Sequence, residues 1–212
     1  MIKVVKDFLP QPLFKFIKDY VEDEKVSWKW QDNSTYHKDT AAVKADKMFK
    51  FGKTIYTHPA LNPENKEFIN EKYMSIFGVF VDFQNEHQSH KTEHLIKMKL
   101  NLYPNEGKQV QHGTHKDIYS AHIPLSPKHM TRMGEDVLDK TTLTSVFNFH
   151  TCNGYTCIGK EKIPSVANQI VIFNQTEHYG VTQSDIPRRI VFNMNVSINE
   201  KTSTNRDRKS VV

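Results

Sequence analysis

Hydrophobic residues change their spacing midway along the chain, from intervals that suit helices to intervals that suit strands. Near the N-terminus Leu9, Leu13, Phe16, Ile17, Tyr20 and Val21 recur every three or four residues, which predicts a helix with one apolar face. A second helix is expected to start at Asn62-Pro63, where asparagine can cap and proline suits the first helical position. Its apolar face would be Ile69, Tyr73, Phe77 and Phe80. The polar stretch 31–50 between the two reads as loops and edge strands.

From Leu95 onward the period falls to two. Ile96, Met98, Leu100 and Leu102 alternate with Lys97, Lys99, Asn101 and Tyr103, describing a strand with one oily and one polar face. Pro104-Asn105-Glu106-Gly107 closes it as a turn. Further strands are predicted over 143–149, 169–173 and 189–196, with Asn153-Gly154 and Ile158-Gly159-Lys160 as turn signals between them. Short strands with frequent turns indicate a sandwich or jelly roll rather than a parallel sheet. The segment 118–140, with Pro124, Pro127, Met130 and Met133, is a long connection placed to act as a lid.

A length of 212 residues fits one domain, expected over 1–198, with a helical N-terminal region over 1–94, a strand core over 95–198 and a flexible polar tail over 199–212. Thirteen Phe and eight Tyr supply material for a core. Cys152 and Cys157 are too few for a disulfide framework or a cysteine-rich zinc site. No apolar run reaches membrane-span length and the first residues lack a signal-peptide pattern, so a cytoplasmic protein without membrane contact is expected. The net charge of +5 includes +2 from the tail, where Lys201, Arg206, Arg208 and Lys209 face Glu200 and Asp207. The remaining excess has no basic block, so it does not indicate a nucleic-acid partner.

Candidate chemistry rests on histidine and aspartate. A His-x-Asp pair is expected about 0.6 times by chance at this composition, and the chain has two, His37-Lys38-Asp39 and His115-Lys116-Asp117. The first lies in the polar stretch and reads as surface. The second follows a strand and turn, where residues two apart project to one side and can reach one cation. His178 follows the buried strand signature Ile170-Val171-Ile172-Phe173 and completes two imidazoles and a carboxylate, a set that leaves other metal positions open. His150 is a rival third ligand, but Lys160 ten residues on falls in a turn rather than a strand. His94, His112, His122 and His129 have ordinary structural or surface readings.

Eleven residues after His178, Arg189 opens the last strand. A guanidinium is suited to hold a carboxylate through two parallel hydrogen bonds. Arg188 competes for that role, and strand parity separates them. Arg188 shares the apolar face of Ile190, Phe192, Met194 and Val196, whereas Arg189 shares the polar face of Val191, Asn193 and Asn195. Parity also aims Asn101 and Tyr103 at the polar lumen.

In order along the chain, Asn101-Leu102-Tyr103-Pro104, His115-x-Asp117, Asn153-Gly154-Tyr155-Thr156, Val166-Ala167-Asn168 and His178 with Arg189 resemble small prolyl-4-hydroxylase-like 2-oxoglutarate/Fe(II) oxygenases, many of them encoded by bacteria and phages. Asp7-Phe8-Leu9-Pro10 resembles their entry helix. The resemblance implies a mainly β, α+β fold: a double-stranded β-helix (a cupin-like jelly roll) with N-terminal helices packed on one sheet. It implies Fe(II) on His115, Asp117 and His178, and 2-oxoglutarate on Arg189 with Tyr103 and Asn101 beside it. It further implies O2 as oxidant, ascorbate as an auxiliary reductant, and a hydroxylase releasing succinate and CO2. A peptide or protein, a peptidyl proline by resemblance, is favoured over nucleic acid as the substrate. The region between Asp117 and Leu143 is longer and richer in Met and Pro than in that family, which leaves the substrate open. Two other functions stay in view: zinc or manganese chemistry on the same ligands, and a non-catalytic jelly-roll binding module.

Overall fold

The computed structural model describes residues 1–32, 49–59, 66–118 and 141–198. The His37-x-Asp39 pair, Asn62-Pro63, His122, His129, the connection beyond Ile118 and the tail lie outside the described residues.

Eleven strands and three helices are described. In chain order they are β1 (Ile2–Val5), α1 (Gln11–Glu22), β2 (Lys29–Gln31), β3 (Lys50–Thr57), β4 (Phe68–Ile69), α2 (Glu71–Phe77) and α3 (Val79–Glu86). Then come β5 (Thr92–Pro104), β6 (Thr142–Asn148), β7 (Cys152–Ile158), β8 (Glu161–Ser165), β9 (Gln169–Asn174), β10 (His178–Val181) and β11 (Arg188–Ile198). The large sheet runs β1-β9-β6-β11-β5-β3-β2, with β4 on β3, and the small sheet runs β10-β7-β8. Every pairing is antiparallel. The two sheets form a double-stranded β-helix.

The central strands β5, β6 and β11 divide their residues by parity. On the outer face Leu100, Phe147, Phe192, Met194 and Val196 join Ile17 and Val21 of α1, Tyr73 and Phe77 of α2 and Phe80 of α3 in the main core. Phe192 lies 5.0 Å from Phe77 and 4.6 Å from Phe80 between ring centroids, so helix and sheet aromatics interlock. On the inner face a smaller cluster of Val146, Val171, Phe173 and Val191 meets Ile158 and Ile163 of the small sheet. The rest of that interior is polar.

Asn168 ties the N-terminus to this frame. Its positive φ of 57° turns the chain into β9, and its side-chain amide exchanges two hydrogen bonds with the Leu9 backbone at 2.9 and 2.8 Å. No helix among the described residues is long and apolar enough to cross a membrane.

Several expectations need correction. The N-terminal region up to residue 94 is not only helical, because it gives β1 to one edge of the large sheet and β2, β3 and β4 to the other. β1, β2 and β4 have four residues or fewer, and β3, eight residues long and paired on both sides, is interrupted by an irregularity between Thr54 and Tyr56. Phe16 is 57% exposed, on the solvent side of α1. Ile69 is in β4 and 45% exposed rather than on a helical face, although Tyr73, Phe77 and Phe80 are buried as expected. Asn153-Gly154 is no turn but an irregularity within β7. A Cβ on Gly154 would stand 3.0 Å from the Val181 carbonyl oxygen, so glycine serves the close approach of β7 to the chain after β10. Ile158-Gly159-Lys160 does turn, with Gly159 at φ 57°.

Candidate metal centre and its cavity

Beyond the turn after β5, the chain passes along the free side of β10 and extends the small sheet. The His112 amide donates to the Gly180 carbonyl at 2.9 Å, and the Thr182 amide donates to the Val110 carbonyl at 2.9 Å. His115 and His178 are direct partners, exchanging both backbone hydrogen bonds at 3.0 Å. Directly paired antiparallel residues project their side chains to the same face. Their rings therefore stand 4.6 Å apart between centroids.

Asp117, two residues after His115, reaches the same point. Its Oδ1 is 3.6 Å from His115 Nε2 and its Oδ2 is 3.8 Å from His178 Nε2. One donor atom from each of His115, Asp117 and His178 lies within 4.8 Å of the others, and they form the one such group among the described residues. Each Nδ1 faces the carbonyl two residues earlier, His115 at Gly113 (2.9 Å) and His178 at Thr176 (3.0 Å). Those carbonyls demand an N–H at Nδ1, which leaves each Nε2 as a lone-pair donor aimed at Asp117.

Electrostatics favour the ligating protonation states. Burial opposes the charge of Asp117, but His178, His115 and Lys97 outweigh it and hold the carboxyl well below the usual range. Burial pushes the His178 imidazole down, more than Asp117 raises it, towards the neutral form a metal needs. Asn195 Nδ2 donates both to Asp117 Oδ2 (3.1 Å) and to Thr144 Oγ1 (3.0 Å), fixing the carboxylate from behind. Gln175 continues the network, donating to Thr144 Oγ1 at 3.1 Å and accepting from the Ile118 amide at 3.2 Å.

The three residues line a cavity between the sheets that also takes in Arg189, Asn101, Tyr103 and His112. Arg188 is exposed, whereas Arg189 is 3% exposed and points inward. Its guanidinium donates to the Val181 carbonyl (3.1 Å), Asn148 Oδ1 (3.1 Å) and, at longer range, the Tyr155 carbonyl and Thr156 Oγ1. All four acceptors are neutral, and its Nε is buried without a partner. Burial disfavours the charge, and the groups that offset this are Cys152 and Tyr103, neither a carboxylate. A buried cation with a donor to spare fits an incoming anion.

Tyr103 is the cross-strand partner of Arg189 in the β5–β11 register. Asn101 is 3% exposed and shares one bond with Asn193, while its Oδ1 is buried without a donor. His112 differs from its ordinary sequence reading. It is buried in the cavity wall, its ring 4.7 Å from that of Tyr103, and it fits because residue 180 is glycine. No period or spacing in the sequence marks it. His150 lies outside the site: its Nε2 bonds Glu22 at 2.7 Å and its Nδ1 accepts from the Ile190 amide at 3.2 Å, linking α1 to β11.

No family model matches the sequence, and no curated protein matches it either. Solved structures do share its fold. An oxidoreductase of the 2OG-Fe(II) oxygenase family from Burkholderia pseudomallei aligns over 92% of this chain and 85% of its own, with a TM-score of 0.59 and 8% identity. A prolyl hydroxylase from Trichoplax adhaerens, in complex with a hypoxia inducible factor oxygen degradation domain peptide fragment, aligns over 94% and 84%, with a TM-score of 0.53 and 9% identity. The non-heme alpha ketoglutarate dependent epimerase SnoN from nogalamycin biosynthesis aligns over 92% and 78%, with a TM-score of 0.53 and 10% identity. Hydroxylase and epimerase on one fold leave the reaction to be argued from the site.

Proposed function

We propose that this chain is an Fe(II)- and 2-oxoglutarate-dependent oxygenase that hydroxylates its substrate, with His115, Asp117 and His178 holding iron and Arg189 holding the co-substrate. The observation that carries this function is the pairing, in one cavity, of a half-buried His-Asp-His donor set with a buried arginine that has a hydrogen-bond donor left over.

Two imidazoles and a carboxylate suit Fe(II), and His115, Asp117 and His178 would hold it with positions left open for co-substrate and oxygen. When bound, the iron and co-substrate would supply the oxidation: one oxygen atom of O2 ends in succinate as CO2 leaves, and the other ends on the substrate. The protein's own role is to bind, orient and keep charges in place. The carbonyls of Gly113 and Thr176 lock both imidazole tautomers, and Asn195 fixes the carboxylate. Arg189 would take the distal carboxylate of 2-oxoglutarate, with Tyr103 on the neighbouring strand and Asn101 lining the approach.

Zinc or manganese chemistry without a co-substrate gives Arg189 no task, and a binding module requires neither the tautomer locks nor the arginine. For the substrate, a peptidyl proline is the class that the prolyl hydroxylase neighbour supports, while the epimerase neighbour keeps other oxidations within reach of the fold.

The test is succinate formation from 2-oxoglutarate by purified protein under air. It should require added Fe(II), should not be supported by Zn(II), should vanish in Asp117→Ala, and should need about 30- to 100-fold more 2-oxoglutarate in Arg189→Met. Turnover whose 2-oxoglutarate dependence is unchanged in Arg189→Met, or that zinc sustains, would sink this function.

A further inference from the structure

We propose that Gln175 is a positioning residue for the metal centre, closing with Thr144 and Asn195 a hydrogen-bonded ring that fixes Asp117 at both its carboxylate and its backbone. This rests on the proposed function in one respect, that a divalent metal sits on His115, Asp117 and His178.

Asp117 needs such support more than the other two ligands. His178 opens β10, and His115 pairs with it through two backbone hydrogen bonds. Among the described residues the backbone pairing of this segment ends there, so no strand ladder holds Asp117 two residues on. Side chains take over. The Ile118 amide, which belongs to the peptide group joining Asp117 to Ile118, donates to Gln175 Oε1 at 3.2 Å. Gln175 Nε2 donates to Thr144 Oγ1 at 3.1 Å. Asn195 Nδ2 donates to that same oxygen at 3.0 Å and to Asp117 Oδ2 at 3.1 Å. The path begins on the backbone of Asp117 and ends on its carboxylate.

Partner chemistry gives the ring one arrangement. The Asp117 carboxyl is held well below its usual range, with His178 and His115 outweighing burial, so it is ionised and only accepts. Asn195 must therefore turn its amide nitrogen towards it. A backbone N–H only donates, so Gln175 must turn its oxygen towards Ile118. Both amide nitrogens then meet at Thr144 Oγ1, whose two lone pairs receive one N–H from each. Neither amide can flip without setting two donors or two acceptors against each other.

Burial and origin make the ring stiff. Thr144, Asn195, Gln175 and Ile118 are all at most 4% exposed, so water does not compete for these bonds. Thr144 comes from β6, Asn195 from β11 and Gln175 from the link 175–177 between β9 and β10, which refers Asp117 to the large sheet. The same link serves a second ligand, because Thr176 offers the carbonyl that sets the tautomer of His178. Two consecutive residues thus orient two ligands that arrive from different elements. The coupling is reciprocal: a cation that holds the carboxylate also steadies Asn195, Thr144 and Gln175, and through them the Ile118 amide.

The test uses the full chain and two metals that require no turnover. Mn(II) affinity is read from the paramagnetic resonance signal of the free ion. Gln175→Met, similar in length but unable to make either bond, should weaken it about tenfold, and so should Thr144→Val. Thr144→Ser keeps the hydroxyl and should bind like wild type. Gln175 reaches the carboxylate only through Asn195, so Gln175→Met combined with Asn195→Ala should lose about tenfold rather than about a hundredfold. Hydrogen exchange at the Ile118 amide gives the second readout, by NMR with and without Zn(II). Exchange should slow when zinc binds to wild type and should not respond in Asn195→Ala saturated with zinc. A glutamine that serves only the fold protects that amide equally in both states. Thermal melts separate lost binding from lost folding, and if Gln175→Met does not fold, the Thr144 pair and wild-type exchange decide. Undiminished Mn(II) affinity in Gln175→Met or Thr144→Val, a hundredfold loss in the double variant, or exchange indifferent to zinc overturns the positioning role alone. A wild type that binds neither metal overturns the metal centre, and the proposed function with it. Mn(II) binding that depends on Gln175 while 2-oxoglutarate fails to bind removes the proposed function and leaves this role standing.

Discussion

The two faces of β11 differ more than any two separate regions of the molecule. Outward, Ile190, Phe192, Met194 and Val196 are all at most 1% exposed and lie under the helices. Inward, Arg189, Asn193 and Asn195 face the cavity and Val191 alone joins an apolar cluster. One strand thus anchors the core with its even-numbered residues and furnishes the site with its odd ones. Slipping the register by one residue would put Arg189 under aromatic rings and Phe192 in the cavity. The strand can carry a demanding polar face because its other face binds it firmly in place.

Substitutions on one face should leave the other's property intact, and the largest effect belongs to the outer face. Phe192→Ala removes a ring wedged between Phe77 and Phe80 and should cost about 3–5 kcal/mol of stability, read from urea unfolding midpoints. The folded fraction should still bind Fe(II) with unchanged affinity. On the inner face Arg189→Met should weaken 2-oxoglutarate binding about 30- to 100-fold, measured by calorimetry with Mn(II) present. Its melting temperature should move little, because the side chain that leaves is a buried cation among neutral acceptors. An equal loss of stability and binding in either variant would show that the faces are not separable.

Smaller effects sharpen the comparison. Asn195→Ala should weaken metal binding about tenfold while the three ligands remain, since it removes the bonds that tie Asp117 to Thr144 but no ligand. His150 provides a pH-dependent link between the helices and the outer face. With the Ile190 amide donating to its Nδ1, the imidazole must be neutral, and burial, more than Glu22 can offset, pushes it below the ordinary 6.5. The unfolded chain therefore takes up this proton first as pH falls. The contribution is present above about pH 6.5 and is lost as pH falls through the folded-state value. Melting temperatures between about pH 5 and 7.5 should show a shallower slope in His150→Gln than in wild type.

The parity of β11 was legible because alternation over eight residues has one physical solution once one face is buried. The same holds for β5, where the oily positions went outward and Asn101 and Tyr103 inward. What alternation leaves open is whether a polar face meets water or a cavity, so Lys97 and Lys99 looked like any solvated lysines. His115-x-Asp117 gained meaning only from its pairing with His178, a contact across more than sixty residues that no local pattern encodes. β1, β2 and β4 are too short for alternation to show, an irregularity between Thr54 and Tyr56 breaks it in β3, and Pro164 and a charged start mask it in β8. Asn153-Gly154 misled because glycine serves a close backbone approach as readily as a turn. His112 depends on the space left by Gly180, which only the folded chain reveals.

The central claim is that one cavity holds iron on His115, Asp117 and His178 and 2-oxoglutarate on Arg189. Anaerobic titration of the protein with Fe(II) and then 2-oxoglutarate tests it most directly, through the visible charge-transfer absorbance of their chelate. The account predicts a band that saturates at one equivalent of each, is absent in His178→Ala, and needs far more 2-oxoglutarate in Arg189→Met. A protein that gives no band, or whose Arg189→Met variant saturates like wild type, would contradict it.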